Sequence, residues 1–206
     1  MKVLLINGSP HETGCTYPAL ALSAGELTAQ GIATETLHVG GQPVGGCIGC
    51  GGCRSGNGCV FGGVVNEAIE KAKTADAFVF GSPVHYASAA GNMASFMDRL
   101  AYAGGKYLAY KPAAVCCSAR RAGTTSTLDQ LVKYPQFFHM PLVNGSYWAM
   151  VHGSNPEQVL QDAEGCAVMQ ELGRNMAWLL RCIEAGKAAG IDHPQNPPRP
   201  MTNFIR

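Results

Sequence analysis

The chain has 206 residues, enough for one domain with a sizeable core, and its formal net charge is only +1. Hydrophobic residues make up 47% of the chain and charged residues only 14%, which indicates large buried surfaces, with a subunit interface as one way to provide them. The balanced charge gives no support for a nucleic-acid partner, and we expect none.

The chain shows no sign of a membrane or export segment. The uncharged stretches 77–97 and 136–156 are long enough to span a bilayer, but both contain proline, glycine and polar residues. No secretory signal is visible, and the nine cysteines are an odd number. We therefore expect a cytoplasmic protein without membrane contact, whose cysteines serve as thiols, metal ligands or redox groups.

The first sixteen residues predict a strand, a loop and the start of a helix. Residues 3–6 form an apolar run typical of a strand buried on both faces, and 7–10 is a turn signal. A helical pattern of apolar residues begins at Leu20. Free N–H groups and the positive end of the helix dipole point into such a loop and can bind phosphate. From the loop alone, an ordinary turn capped by Thr16 and a loop for some other anion are the alternatives.

Four further strands are predicted along the chain, alternating with helices. They lie at 33–39, 77–81 and 112–118, with a fifth inside 136–143 that extends at most to 150; one long last helix follows from 155–157. This order predicts a flavodoxin-like α/β fold: a doubly wound, five-stranded parallel sheet of order 2-1-3-4-5 with helices on both faces.

We divide the chain into a domain and a tail. The domain covers 1–190 and includes an inserted cysteine-rich loop at 40–63, whereas 191–206 is a proline-rich C-terminal tail. The tail has little hydrophobic periodicity, so packing against its own domain and packing against a partner subunit are both open.

Three loops leave the carboxyl ends of predicted strands, which is where doubly wound sheets bind ligands. The first offers hydroxyls and backbone donors for a phosphate, the second is a proline-fixed aromatic wall for a flat ring, and the third is basic. FMN fits this combination and a nucleotide fits nearly as well, although the dinucleotide and P-loop fingerprints are absent. The candidate cofactor-binding residues are Ser9, His11, Cys15, Thr16, Ser82, Pro83, Val84, His85, Tyr86, Ala119, Arg120 and Gly123.

The cysteine-rich loop is a candidate metal centre. Cys47, Cys50, Cys53 and Cys59 have the spacing C-x2-C-x2-C-x5-C in a glycine-rich segment. Three thiolates this close can hold three corners of an iron–sulfur cluster, and a fourth slightly further on closes it. Structural zinc usually pairs two C-x2-C knuckles across a long spacer and fits less well. Unliganded thiols in a flexible loop are the remaining alternative.

These motifs together resemble the flavodoxin-like NADPH-dependent FMN reductase group, and most of all its iron–sulfur flavoprotein branch. The matching segments are 7–16, the four spaced cysteines, 81–86, 88–99 and 121–123. The resemblance covers roughly residues 1–185 and implies FMN at the three loops, NADH or NADPH as the reductant, and a [4Fe–4S] cluster on the cysteines.

The chain departs from the family pattern at three places. His11 stands where members usually have arginine, Cys15 where they have asparagine, and Gly62-Gly63 where many have an acidic pair. An arginine makes a permanent, forked contact with phosphate, whereas a histidine is charged only in part near neutral pH.

The sequence thus predicts an FMN-dependent NAD(P)H oxidoreductase that passes electrons to a small-molecule or protein acceptor, with a [4Fe–4S] cluster as a further carrier. The flavin carries the chemistry, so we expect no catalytic side chain, and we expect a homodimer or homotetramer. A non-enzymatic electron carrier and a flavin-free metal-binding module are the alternatives. Three minor expectations are a surface or helix-packing role for Asp98 and Arg99, inert buried thiols at Cys116 and Cys117, and a structural role for His152.

Overall fold

The computed structural model describes residues 1–198 and 200–202. Within them, five parallel strands form the sheet, and the short β4 pairs antiparallel with the end of β3. The strands are β1 (Lys2–Asn7), β2 (Ala33–His38), β3 (Ala77–His85), β4 (Ser88–Ala89), β5 (Ala113–Ala119) and β6 (Met150–His152). Their order is β2-β1-β3-β5-β6, so the predicted 2-1-3-4-5 order of the parallel strands is confirmed.

Helices cover both faces of the sheet, because alternate residues of the buried strands point to opposite sides. Leu4 and Phe80 pack with α2, α3 and α4, whereas Leu5 and Val79 pack with α1 and α6. The helices are α1 (Thr16–Ala29), α2 (Val64–Thr74), α3 (Gly91–Gly104), α4 (Thr124–Phe137), α5 (Pro156–Val159) and α6 (Ala163–Ala188), with 3-10 turns at Gly52–Ser55 and Gly105–Tyr107. Among the described helices, none has the length and apolar character needed to cross a bilayer.

The last strand lies later in the chain than predicted. The region 136–143 begins with the end of α4, which accommodates Pro135 in its last turn. Val143 donates a hydrogen bond to the Ala113 carbonyl, and Cys117 donates one to the Ala149 carbonyl. Between these two bonds, the segment that leads into β6 has more residues than β5 has opposite it. Residues 144–148 therefore bulge away from β5 before β6 begins.

The last helix is also divided, whereas one continuous helix was predicted. Asn155 caps α5 by accepting a bond from the Gln158 N–H, and Pro156 follows at the first helical position. The chain breaks after Val159, and Asp162 then caps α6 by accepting a bond from the Gly165 N–H. Two successive caps define two helices.

The C-terminal tail packs on its own domain as far as it is described. The ring of Tyr110 is stacked between His139, with centroids 5.3 Å apart, and the tail's His193 at 4.4 Å. Asn196 donates a hydrogen bond to the Tyr110 hydroxyl at 2.5 Å. The rest of the predicted tail at residue 199 and at 203–206 lies outside the described residues.

Candidate functional site

The three predicted loops meet at the carboxyl edge of the sheet. Because β1, β3 and β5 are neighbours in register, Asn7 lies beside Gly81, and Pro83 beside Ser118. The Gly8 N–H also donates to the Gly81 carbonyl at 2.9 Å. The loops that follow these strands therefore border one region of the surface.

The first loop is held in shape by its own hydrogen bonds. The Ser9 N–H donates to Asn7 Oδ1 at 3.1 Å, and the His11 N–H donates to Ser9 Oγ at 3.1 Å. Asn7 Nδ2 closes the loop by donating to the Glu12 carbonyl at 2.8 Å. His38 on β2 supports it from the side through a 2.7 Å bond from Nε2 to the Ser9 carbonyl.

The hydroxyl groups predicted to face a ligand are turned into the protein. Thr16 is fully buried, and its Oγ1 lies 2.9 Å from Ser118 Oγ. Ser82 is also fully buried; its Oγ donates to the Pro83 carbonyl and accepts from the Ala90 N–H. A phosphate at this edge would meet backbone N–H groups at the start of α1 before it met these hydroxyls.

Cys15 stands at the beginning of α1 without capping it. Its side chain accepts no capping hydrogen bond, and the Sγ atom instead lies 3.6 Å from the Gly153 carbonyl, to which it donates. Burial is the main cause that raises the pKa of the Cys15 thiol, so the group is neutral near pH 7. The first N–H groups of the helix are thus left without a side-chain acceptor at this position. His11, two residues after Ser9, is exposed.

The second predicted loop is a hairpin at the end of β3. Pro83, Val84 and His85 continue the strand, and β4 returns after a turn at Tyr86 and Ala87. Both turn residues have positive φ angles, 49° and 60°, which non-glycine residues rarely adopt. The Tyr86 side chain is fully exposed at the tip.

The third loop packs directly against this hairpin. Ala119 is buried at the end of β5, and the exposed Arg120 follows it. Gly123 has φ 98°, and a Cβ atom there would lie 2.7 Å from the Ala87 Cα atom. Ser126 also donates to the Ala87 carbonyl at 2.7 Å. Only glycine fits at position 123, because a side chain would displace the hairpin.

One residue at this edge was not expected. His152 ends β6 in register with Ala119; its N–H donates to Asp162 Oδ2 at 2.8 Å, and its Nδ1 lies 3.5 Å from the same oxygen. Sequence reasoning placed β6 too early, so it gave His152 no position at the sheet edge. The helix-start signal at Asn155-Pro156 could have located the end of the strand.

The four spaced cysteines line one cavity of about 300 Å³, which also contacts the apolar side chains of Phe61 and Tyr102. Cys47 and Cys50 are exposed, whereas Cys53 and Cys59 are partly buried. Among the described residues, no group of three or more Cys, His, Asp or Glu side chains is arranged around a single ion. A four-iron cluster takes each thiolate on a different iron, so four thiols lining one cavity are compatible with such a cluster.

The cysteine loop, residues 40–63, is held by three side chains from the helices beside it. Asn92 on α3 donates to the Gly40 and Gln42 carbonyls and accepts from the Val44 N–H. Asn66 on α2 binds the Cys59 backbone, accepting from its N–H at 2.8 Å and donating to its carbonyl at 3.0 Å. The third is Arg99.

Arg99 does not lie on the surface beside Asp98, as one expectation had it. It is 7% exposed, and its Nε lies 3.2 Å from Cys59 Sγ. Asp98 instead accepts a hydrogen bond from the Tyr134 hydroxyl at 2.6 Å. Sequence reasoning missed Arg99 because its partners lie 37 to 54 residues away along the chain, and no local pattern indicates the pairing.

A doubly wound parallel sheet with ligand loops at its carboxyl edge defines a flavodoxin-like protein. A flavodoxin from the domain Archaea shares this fold with a TM-score of 0.59 at 14% identity, covering 88% of this chain and 99% of that one. RosB with bound 8-demethyl-8-formylriboflavin-5′-phosphate gives a TM-score of 0.71 at 13% identity, covering 100% of this chain and 96% of that one.

The chain belongs to the NADPH-dependent FMN reductase family, whose model matches residues 1–155. It is also similar to an iron–sulfur flavoprotein of Methanocaldococcus jannaschii, with 27% identity over 192 residues, or 89% of this chain and 100% of the relative. The resemblance to the iron–sulfur flavoprotein branch is confirmed. The family match supports FMN as the cofactor and an FMN-dependent oxidoreductase as the class of protein.

Proposed function

We propose that this protein oxidises NADH or NADPH with FMN bound at the three loops, and passes the electrons on through a [4Fe–4S] cluster to a small-molecule or protein acceptor. The observation that carries the proposal is the meeting of the three loops at one sheet edge in a member of the FMN reductase family. The four cysteines that line one cavity support the second part of the proposal, which is the [4Fe–4S] cluster.

The residues of the sheet edge have separable tasks in this proposal. Backbone N–H groups between Ser9 and Thr16 bind the phosphate, together with the positive end of the α1 dipole. The hairpin of Pro83–Tyr86 and the loop of Ala119–Gly123 enclose the ring, and the exposed Tyr86 and His85 border the open side where a nicotinamide enters. FMN supplies hydride acceptance and the division of an electron pair into single electrons; the protein supplies position and electrostatics.

The cysteine loop would hold the cluster by four thiolates. The positive φ angles of Gly49, Gly51 and Gly58 allow the chain to turn sharply between the four cysteines. Cys47 and Cys50 lie on the outside, so an external acceptor can approach the cluster from that side.

A pair of variants at Cys15 tests the phosphate site. Asp and Asn cap helices equally well, so Cys15→Asp and Cys15→Asn differ mainly by one negative charge at the start of α1. We expect Cys15→Asn to bind FMN at least as tightly as the wild type. Cys15→Asp should bind it at least tenfold more weakly, a loss of about 1.4 kcal/mol. Fluorescence titration of the flavin-free protein measures both; equal affinities would place the phosphate elsewhere.

Steady-state kinetics separates the reductase from its alternative. The reductase oxidises NADH or NADPH continuously with free flavin, a quinone or ferricyanide as the acceptor. An electron carrier that receives its electrons from a protein would show no turnover with any of these, which would contradict the proposal. Iron, acid-labile sulfide and zinc analysis of anaerobically purified protein decides between a cluster and a zinc site in the cysteine loop.

The assembly and cellular location complete the proposal. We propose a cytoplasmic homodimer or homotetramer built from the 1–190 domain, because the exposed aromatic residues Tyr147, Trp148 and Trp178 offer apolar surface for a subunit interface. Light scattering during size-exclusion chromatography gives the mass directly. A monomer at micromolar concentration would contradict this part.

A further inference from the structure

The most unusual charged group outside the sheet edge is the guanidinium of Arg99. It is 7% exposed, and its three described hydrogen bonds all go to the cysteine loop. Nε donates to Cys59 Sγ at 3.2 Å, one terminal nitrogen donates to the Gly45 carbonyl at 3.3 Å and the other to the Gly62 carbonyl at 3.1 Å. The guanidinium also lies over the ring of Phe61, 5.5 Å from its centroid.

Among residues 1–198 and 200–202, no carboxylate forms an ion pair with this buried cation. The neighbouring Asp98 instead accepts a hydrogen bond from the Tyr134 hydroxyl. A buried charge without a counter-ion is costly, and carbonyl groups compensate it only in part. Arg99 also lines the cavity that the four cysteines line, so an anionic group held by the cysteines would lie beside the guanidinium.

We infer that Arg99 is the built-in counter-ion of the group held by the four cysteines, and that it raises the reduction potential of the cluster proposed there. This inference rests on the proposed cluster. Adding one electron to a thiolate-ligated cluster makes its total charge more negative, so a fixed cation beside one ligand stabilises the reduced form more than the oxidised form. Arg99 touches a ligand and acts through it, so it is a positioning residue.

Asn66 provides a matched control because it holds the same cysteine without a charge. It binds the Cys59 backbone through both ends of its amide, whereas Arg99 meets the Cys59 sulfur. Loss of either side chain loosens Cys59, but only loss of Arg99 removes positive charge. If Arg99 only supported the structure of the loop, loss of Arg99 and loss of Asn66 would have the same effect on the midpoint potential and the iron content.

The test is an anaerobic redox titration of the reconstituted holoprotein, followed by electron paramagnetic resonance, with iron and sulfide measured on each sample. The variants are Arg99→Gln, Arg99→Lys and Asn66→Ala. We expect Arg99→Gln to shift the midpoint of the bound cluster by about 59 mV to more negative potential, the tenfold change in equilibrium for one electron. Arg99→Lys should stay near the wild type, and Asn66→Ala should lower the iron content without shifting the midpoint of the cluster that remains.

An unchanged midpoint in Arg99→Gln, or an equal shift in Asn66→Ala, would overturn the inference while leaving the proposed cluster intact. If Arg99→Gln takes up no iron, Arg99→Lys decides: loading and a midpoint near the wild type support the role of charge, and no loading overturns it. A wild-type protein that binds no iron or sulfide after reconstitution overturns the proposed cluster and this inference together.

Discussion

The loop proposed to bind phosphate (residues 9–16, here the phosphate loop) and the cysteine loop, residues 40–63, are built in opposite ways. The phosphate loop is short and tied mainly by hydrogen bonds between neighbours, such as Ser9 with His11. The cysteine loop is long, rich in glycine, and fixed by Asn66, Asn92 and Arg99 from two helices. The first can keep its shape by itself, whereas the second depends on side chains distant in sequence.

This difference has a consequence for what each loop can bind. A loop fixed through its own backbone presents N–H groups in a constant geometry, which suits an anion of fixed shape. A loop fixed from outside leaves most of its own side chains available to a ligand, and here they include four cysteines, of which Cys59 also accepts a hydrogen bond from Arg99. The two loops come close to each other where Gly40 approaches the Ser9 carbonyl.

The largest effect is expected from Cys50→Ala, which should change the iron content of the protein without changing its affinity for FMN. Removing one of four thiolates should abolish cluster binding, because the cluster needs each corner ligated. FMN affinity should change less than twofold, since Cys50 lies far along the loop from Gly40. Iron analysis and flavin titration measure the two quantities, with Cys182→Ala as a control at an exposed cysteine outside the loop. Loss of FMN together with iron would show that the loops act as one site.

The next largest effect is a difference in thiol reactivity between the cysteine loop and β5. Cys116 and Cys117 are fully buried, and burial raises the pKa of Cys117 to about 12 and that of Cys116 further. A raised pKa keeps a thiol protonated and unreactive at mildly alkaline pH. In metal-free protein, iodoacetamide should modify Cys47 and Cys50 at least about a hundredfold faster than this pair. Peptide mass spectrometry over time measures the rates, and comparable rates would contradict the buried placement.

A third prediction concerns the contact between the loops. In Gly40→Ala, the new Cβ atom would lie 2.0 Å from the Ser9 carbonyl oxygen, so the backbone of both loops must shift. We expect a loss of about 2–3 kcal/mol in the free energy of unfolding, together with weaker FMN binding. Gly45→Ala is the control, because a Cβ atom there meets nothing within 4 Å. Urea unfolding and flavin titration measure both; equal behaviour of the two variants would show that the contact is unimportant.

The smallest effect is expected at the described part of the tail, which packs on Tyr110 and so provides a baseline. His193→Ala removes one ring stacked on Tyr110 at an exposed site, and we expect a loss of at most about 1 kcal/mol. FMN and iron content should stay at wild-type levels. Thermal unfolding with cofactor analysis checks this; a change in either cofactor would mean that the tail communicates with the sites.

Much of the fold could be predicted because its strands are buried on both faces. Apolar runs such as 3–6 and 77–80 indicate strands of a parallel sheet when helices alternate with them. The last strand could not be placed, because the edge chain pairs with β5 at Val143, leaves, and returns at Ala149. No local pattern indicates a bulge of this kind. The hairpin turn at Tyr86 and Ala87 could not be predicted either, because positive φ angles are expected at glycine or asparagine and not at these two residues.

The candidate site could be predicted where it depends on position along a strand, and not where it depends on contacts across the fold. Loops that follow buried parallel strands lie at one edge by topology alone, which places Ser9, Pro83 and Ala119 together. The inward turn of the Thr16 hydroxyl depends on Ser118, a residue on another strand. Arg99 depends likewise on Cys59, and neither pairing has a sequence signal.

The hairpin tip has an evolutionary consequence. Two adjacent residues in the left-handed region cost roughly 1–2 kcal/mol each, and Gly123 and Ser126 hold them there by packing on Ala87. The side chain of Tyr86 takes no part in that support and is fully exposed. If a nicotinamide enters beside Tyr86, as proposed above, a single codon change at position 86 would alter the side chain that it meets while the contacts of Ala87 with Gly123 and Ser126 remain, so we expect related proteins to differ at this tip.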